Sequence, residues 1–483
     1  MALILMGFTW LWIINIILSL FIIYFGRKNP RSTLIWILII ELLPIVGFVL
    51  YLMFGANFKK RKMFKLKEEE DKLIESLSSL QSEMMEDGRF VYKEERSKDY
   101  HDLINMNLNT DDALFTQDNT VKMYYWGQDK FEDLLKDIEN ATERIDVQYY
   151  IFRYDKIGKK LVDLLEEKQR EGVQVRLLYD AVGCRSLKRK NFNKLKSYGG
   201  ETAEFFPAFI RWLNPRINYR NHRKMVIIDD RIGYIGGFNV GDDYMGEYKK
   251  MGLWRDTHAR IEGGGVMGLK LRFLKDWYYA TDLEPDLERD FNPKVSSNLA
   301  GDVSMQIVTS GPDTEFNNIK NTMIKMISQA KDEIYIQTPY LVPDLAVWEA
   351  LRMAILAGVK VNIMIPNKPD HIVVYWATTS YAGELIKMGA NVYTYDKGFL
   401  HAKMLLIDDY VSTIGSANMD ERSFSLNFEA NTVMYSRQVN SELKGQFMVD
   451  LEDSTQITEE MYENRPLYVK VREPISRLFS PIL

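Results

Sequence analysis

The distribution of apolar residues divides the chain before any single residue is considered. Residues 2–25 carry no charge, and residues 34–54 carry only Glu41. At about 1.5 Å per residue, 21 helical residues cover roughly 31 Å, the thickness of a bilayer's hydrocarbon core. The pattern therefore predicts a helical hairpin over 1–58 whose two helices cross a membrane. Glu41 and Pro44 in the second helix read either as a functional intramembrane site or as a helix-helix contact beside a proline kink. Residues 59–105 are rich in Lys, Glu and Ser without a firm apolar stripe. They predict a charged helical linker that spaces the rest of the chain from the membrane.

Beyond the linker, short apolar runs alternate with helical periodicity. A strand is expected over 144–152, a helix over 158–170 and a strand over 173–179. The order then returns. Residues 333–340 parallel 144–152, Gly358-Val359-Lys360-Val361 parallels Gly172-Val173-Gln174-Val175, and Gln148 is matched by Gln337. The repetition predicts two tandem α/β domains, 106–295 and 296–483, divided near residues 291–299 by a Pro293 and Ser-rich stretch.

The most regular part of the repeat is chemical. His222, Lys224 and Asp229 recur as His401, Lys403 and Asp408 with identical spacing, and each set continues into a glycine-containing tetrad ending at Asn239 or Asn418. Residues two apart in an extended segment share a face, so each His and Lys can aim at one ligand. Two imidazoles and two ammonium groups converging on one site suit transfer at a phosphodiester. One imidazole attacks phosphorus and the other gives a proton to the leaving oxygen, while lysines and asparagines hold the non-bridging oxygens. A nucleophilic imidazole also needs an acceptor at its other nitrogen. Asp256, 34 residues after His222, and Glu429, 28 after His401, are the candidates. The symmetry leaves open which histidine attacks.

Composition narrows the class. The chain has 62 Lys and Arg against 67 Asp and Glu, a net charge of -5, which gives no support to a nucleic-acid reader working by overall basicity. Cys184 is the only cysteine, which excludes an internal disulfide framework and a thiolate metal cluster. No metal or other cofactor is expected, since the motifs bring no carboxylate cluster and the chain has no Gly-x-x-x-x-Gly-Lys phosphate loop. Arg27, Lys28 and Arg31 lie between the apolar runs, whereas six Lys and Arg residues occupy 59–67, so the C-terminal flank is expected on the cytoplasmic side. Residues 205–213 interleave aromatics with Arg211 and lie near Arg216 and Arg220. They suit a membrane interface or acyl-chain cleft, or a buried segment under the site. His101 and His371 match neither motif and read as ordinary histidines.

The paired His-x-Lys-x4-Asp motifs resemble the phospholipase D superfamily. The approach Asn218-Tyr219-Arg220-Asn221-His222, the run Trp254-Arg255-Asp256-Thr257-His258, the run Asn418-Met419-Asp420-Glu421-Arg422-Ser423 and the closing Arg477-Leu478-Phe479-Ser480-Pro481-Ile482-Leu483 look, more narrowly, like those of bacterial cardiolipin synthases. The resemblance covers nearly the whole chain. It implies two α/β/α sandwich domains sharing one site, in a multi-pass protein of the bacterial cell membrane with its catalytic domains facing the cytoplasm. It implies transfer of a phosphatidyl group between two phosphatidylglycerols to give cardiolipin and glycerol, with phosphatidylglycerol and anionic membrane lipids as partners and no nucleic acid. It makes His222 the nucleophile and His401 the acid/base. Lys224, Asp229, Lys403 and Asp408 join the catalytic set, while Asn239, Asn418 and Ser416 are expected to bind phosphate. A membrane-anchored phosphodiesterase with water as acceptor keeps the same residues. Gly237 departs from the pattern where the second copy has Ser416, so the half-sites are expected to differ.

Overall fold

The computed structural model describes residues 2–25, 30–43, 45–51, 68–207, 219–247, 252–283, 286–290 and 301–480. They divide into two compact units, residues 1–65 with 206–220 and residues 66–205 with 221–483. The expected domain boundary at 291–299, the basic run at 59–67, Pro44 and most of the aromatic segment, residues 208–213, lie outside the described residues.

In the first unit, helices Ala2–Phe25 and Pro30–Leu42 pack together around Ile22, Trp36, Ile40 and Tyr51, and a third helix covers Val46–Leu50. Asn15 Nδ2 donates to Glu41 Oε2 at 3.5 Å, so Glu41 makes a helix-helix contact. The second predicted span is not one helix: the piece Pro30–Leu42 has 13 residues, roughly 20 Å at 1.5 Å per residue. In the first helix, side chains are described from Trp12 onward. Among the described residues no helix is long and apolar enough to cross a membrane.

The second unit holds both repeats in one continuous sheet. From one edge to the centre the first repeat runs Glu201–Phe205, Gln174–Asp180, Arg144–Tyr149, Met225–Ile228, Ile232–Gly236, His258–Glu262 and Thr116–Tyr124. The second repeats that order inside an additional edge strand, Ser454–Ile457, as Asn391–Tyr395, Lys360–Pro366, Glu333–Gln337, Met404–Ile407, Val411–Gly415, Asn427–Tyr435 and Val303–Ser310. The halves join where Thr116–Tyr124 pairs antiparallel with Val303–Ser310. Strand alternation builds the layers. Ile145, Val147 and Tyr149 pack under helices Gly127–Glu139 and Lys156–Arg170, whereas Asp146 and Gln148 point to the opposite helix, Gly265–Thr281, at Lys270 and Asp276. In the second repeat Gln337 likewise reaches Asp450 on helix Arg437–Glu452.

The expected linker is helical over Glu68–Glu86, but it is not a spacer. Gln81 exchanges two hydrogen bonds with the Phe115 backbone, Ser78 donates to Asp112, and Met85 enters the second repeat's core with Leu103, Ile104 and Leu108. Ser78, Gln81 and Ser82 face the fold while Glu75, Glu83 and Glu86 face water, a pattern that a search for an apolar stripe misses.

Asp229 and Asp408 correct a further expectation. Each follows a motif strand by one residue, at the end away from its histidine. About five residues at 3.3 Å separate Asp229 from Lys224, roughly 16 Å. Asp229 accepts from the backbone N–H groups of Thr142, Glu143 and Arg144 at 2.8–3.0 Å, and Asp408 from those of Lys331, Asp332 and Glu333 at 2.8–3.2 Å. Both have positive φ, 53° and 49°. They cap the loops that launch the neighbouring strands and are not catalytic. Asp229→Ala or Asp408→Ala is expected to cost about 1–3 kcal/mol and lower the thermal midpoint, with kcat per folded molecule retained. Loss of kcat at an unchanged midpoint would return these carboxylates to the chemistry.

Candidate active site

Each His-x-Lys segment enters its strand from the same end, and each is held there by the other repeat. His222 N donates to Phe428 O at 2.9 Å, and His401 N donates to Arg255 O at 2.7 Å. These backbone bonds bring the next residue of each partner strand to the imidazole. His222 Nδ1 lies 2.9 and 3.0 Å from the carboxylate oxygens of Glu429, and His401 Nδ1 lies 2.6 Å from Asp256 Oδ2. Sequence measured each carboxylate from the histidine of its own copy, but the fold exchanges them. With Nδ1–H donated to a carboxylate, Nε2 keeps its lone pair. Aromatic rings border both imidazoles, Tyr150 at 4.8 Å from His222 and Trp254 at 5.0 Å from His401.

Burial dominates the electrostatics. It pushes the Lys224 ammonium down to about 7, against the pull of Glu429, and the Lys403 ammonium down to about 8, against Asp256. His222 is lowered by burial, which Glu429 opposes, while burial and then the Lys403 charge take His401 to about 4. Burial raises both carboxylates, yet the site cations more than offset it. Glu429 ends below its usual range beside His222, and Asp256 does so beside Lys403 and His401. Both lysines act on both histidines, so the two motifs form a single electrostatic site. Lys224 Nζ donates to His222 O at 2.6 Å, and Lys403 Nζ lies 3.1 Å from His401 Nε2.

The remaining predicted residues divide. Asn239 uses Oδ1 for Ile151 N and one amide hydrogen for Tyr244, and Asn418 donates to Asp420 at 3.0 Å, which leaves each a second amide hydrogen. Ser416 has one hydroxyl hydrogen and gives it to Glu429, so the expectation that it binds phosphate is corrected. Its oxygen also accepts from Ala430 N at 3.0 Å. The first repeat reaches the same end differently. At the matching backbone position Thr257 N donates to Asp256 Oδ1 at 2.8 Å, so the carboxylate itself stands where the serine hydroxyl stands in the other copy. A Cβ on Gly237 would fall 1.9 Å from that oxygen. Glycine and aspartate in one half, serine and glutamate in the other, are matched pairs.

Sequence missed the supports beneath the histidines. Arg223 and Asp276 form a buried ion pair at 2.6 Å, joined by Gln148 at 2.6 Å, and Arg223 Nε also donates to Glu429 O. In the other half Arg255 and Asp450 pair at 2.8 Å, joined by Gln337 at 2.7 Å. The repeated strand glutamines were the available signal. What could not be read was that the second arginine comes from the first repeat, since Ala402 stands where Arg223 stands.

Restoring the serine of the general motif is therefore expected to harm. Gly237→Ser should lower kcat by about a hundredfold or more through displacement of Asp256 from His401, and Ser416→Gly should do less damage, about tenfold or less, on the order of 1 kcal/mol in transition-state stabilisation. Steady-state kinetics of both variants check this, and a fully active Gly237→Ser would disprove the matched pairing.

Among known proteins, the family described as "Cardiolipin synthase, PLD-like domain" matches residues 134–254 and 323–451, and "Phospholipase D-nuclease N-terminal" matches 13–55. The major cardiolipin synthase of Bacillus subtilis (strain 168) is 47% identical over 98% of both chains, and the cardiolipin synthase of Oceanobacillus iheyensis is 46% identical over 99% of both. The crystal structure of phosphatidylserine synthase from Haemophilus influenzae Rd KW20 superposes with a TM-score of 0.62 at 14% identity, over 81% of this chain and 100% of that one, and shares the fold. The duplicated α/β architecture, the paired motifs and this identity along almost the full length place the chain in the cardiolipin synthase family of the phospholipase D superfamily.

Proposed function

We propose that the protein transfers a phosphatidyl group from one phosphatidylglycerol to another, giving cardiolipin and glycerol. The observation that carries the reading is the pair of imidazoles, each held at Nδ1 by a carboxylate and each beside a buried lysine. His222 Nε2 attacks phosphorus, the bond to the glycerol oxygen breaks, and His401 gives that oxygen its proton. A phosphatidyl-histidine results. The headgroup hydroxyl of a second phosphatidylglycerol then attacks phosphorus, His401 takes its proton, and the P–N bond to His222 breaks. Lys224 and Lys403, with the second amide hydrogens of Asn239 and Asn418, hold the non-bridging oxygens. The anionic diester favours a protonated His401, which burial and Lys403 otherwise oppose. No step calls for a metal or a nucleotide.

The role of nucleophile goes to His222 because its acceptor holds Nδ1 with two oxygens, where Asp256 holds His401 with one. Glu429 offers both oxygens to Nδ1 and is itself fixed by Ser416 and Asn427. The N-terminal helices anchor the enzyme in the bacterial membrane, with the catalytic unit on the cytoplasmic side. Their outward side chains support this, since Trp12, Ile17, Leu20, Leu34, Leu38 and Leu42 are all apolar and exposed. So does the excess of basic residues over 59–67.

Purified protein in phosphatidylglycerol vesicles with EDTA is expected to form cardiolipin and glycerol at an undiminished rate. Phosphatidic acid as the sole lipid product would replace transfer by hydrolysis, and loss of all activity would overturn the metal-free route. A phosphorylated protein should be trapped in His401→Ala and not in His222→Ala, and the opposite pattern would reverse the two roles.

The lysines fix the alkaline limb. Both ammonium groups are charged at low pH, and the charge is lost as pH rises through about 7 for Lys224 and about 8 for Lys403. Hence kcat/KM, which reports the free enzyme, is expected to fall across that window. Lys224→Arg keeps its charge and should move the limb to higher pH. A limb left in place by that substitution belongs to another group.

A further inference from the structure

The last helix of the chain, Leu467–Arg477, is inside out. The side it turns toward the fold carries Glu473, Ser476 and, one turn on, Ser480, all buried. Glu473 is paired with Arg465 at 2.8 Å, and Ser480 meets the Tyr381 hydroxyl at 3.4 Å. Outward stand Leu467, Tyr468, Val471 and Ile475, followed by Leu478 and Phe479, with Leu467 77% and Leu478 74% exposed. At about 100° per residue these six fall within an arc of roughly 120°, centred nearly opposite the buried polar side. Lys470 and Arg472 flank the arc on its two sides, and Arg472 lies 5.4 Å from the Tyr468 ring. A helix that only closed the fold would have the reverse pattern, because a contiguous exposed apolar stripe costs solvation that an inward one recovers.

The stripe has a neighbour of the same character. The helix packs along Ile372–Lys387, where Arg472 reaches to 5.9 Å from Trp376. That second helix begins with Ile372, 67% exposed, and the half-exposed Val373. Its preceding residue pair leads to the site, since Tyr340 donates to Asp370 and the Asp370 charge acts on Lys403.

We propose that the outward face of Leu467–Arg477, with the first turn of Ile372–Lys387, is a membrane-docking surface that lies in the interface of an anionic bilayer and presents the catalytic site to lipid headgroups. Apolar side chains enter the acyl boundary while Lys470 and Arg472 meet the anionic headgroups, the arrangement of an interfacial helix. Charge selects this occupant, because the cations edging the stripe match phosphatidylglycerol. The inference rests on the lipid reading of the site but adds a contact independent of the N-terminal helices.

The full chain carrying Val471→Cys is labelled with an environment-sensitive fluorophore and reconstituted in phosphatidylglycerol vesicles whose acyl chains are brominated. Cys184 is buried, and burial holds its thiol well above the usual range, so it does not compete for the label. The fluorophore at 471 is expected to be quenched by bromine, more strongly in phosphatidylglycerol than in phosphatidylcholine, whereas one at Glu132→Cys stays unquenched. No quenching at 471 overturns the proposal, as does protection that follows the protein-to-lipid ratio instead of bromination, which marks a second copy of this chain. The double variant Val471→Asp, Ile475→Asp should lose about tenfold of its activity on vesicles while keeping its activity on short-chain phosphatidylglycerol dispersed as monomers. Equal activity of variant and natural protein on both substrates also overturns it. Because quenching needs no turnover, its outcome is separate from that of the transferase reading.

Discussion

The exchange of carboxylates between the two repeats is the constraint on which the rest of the structure depends. His222 takes Glu429 and His401 takes Asp256, each at hydrogen-bond distance and each with almost no solvent. Charged groups so buried persist only when every partner is in place. The structure therefore has to fix strands from both halves firmly against one another. The antiparallel seam between Thr116–Tyr124 and Val303–Ser310 does this in the backbone, and Arg223 with Asp276 and Arg255 with Asp450 do it in side chains. Two separate α/β domains touching through loops would leave the imidazoles free to turn. One sheet running through both does not.

The halves achieve equivalent results with different residues. In the second, a serine hydroxyl fills the space between the backbone N–H of Ala430 and the carboxylate of Glu429. In the first, the shorter Asp256 swings its own oxygen onto the N–H of Thr257, and only a glycine at 237 leaves it room. The departure from the general motif is thus a compensated change. Its effect is unequal all the same: Glu429 grips His222 with both oxygens, while Asp256 bonds His401 with one and shares the other with the backbone.

The apolar runs and the strict period of the repeat made the α/β texture, the return of strand and helix in the second half and the motif lysines and histidines legible, because each follows from local pattern. The exchange of Glu429 and Asp256 was not legible, since separation along the chain says nothing of which strand of which half lies beside a histidine. Asp229 and Asp408 misled for the opposite reason. Their recurrence is as regular as that of His222 and His401, yet it records a loop that must be capped twice, and duplication copies supports as faithfully as chemistry. The helix Glu68–Glu86 was found but its role was not, because it docks through Ser78, Gln81 and Ser82, which carry no apolar periodicity.

The crossed carboxylates have a consequence for the time during which the chain is being made. A ribosome releases His222 some two hundred residues before it releases Glu429, and throughout that interval the nascent protein lacks the carboxylate that holds its Nδ1. His401, emerging late, finds Asp256 already waiting. A polypeptide that ends before residue 429 therefore has no carboxylate partner for His222 Nδ1, whereas its second imidazole, once made, meets a carboxylate already in the chain.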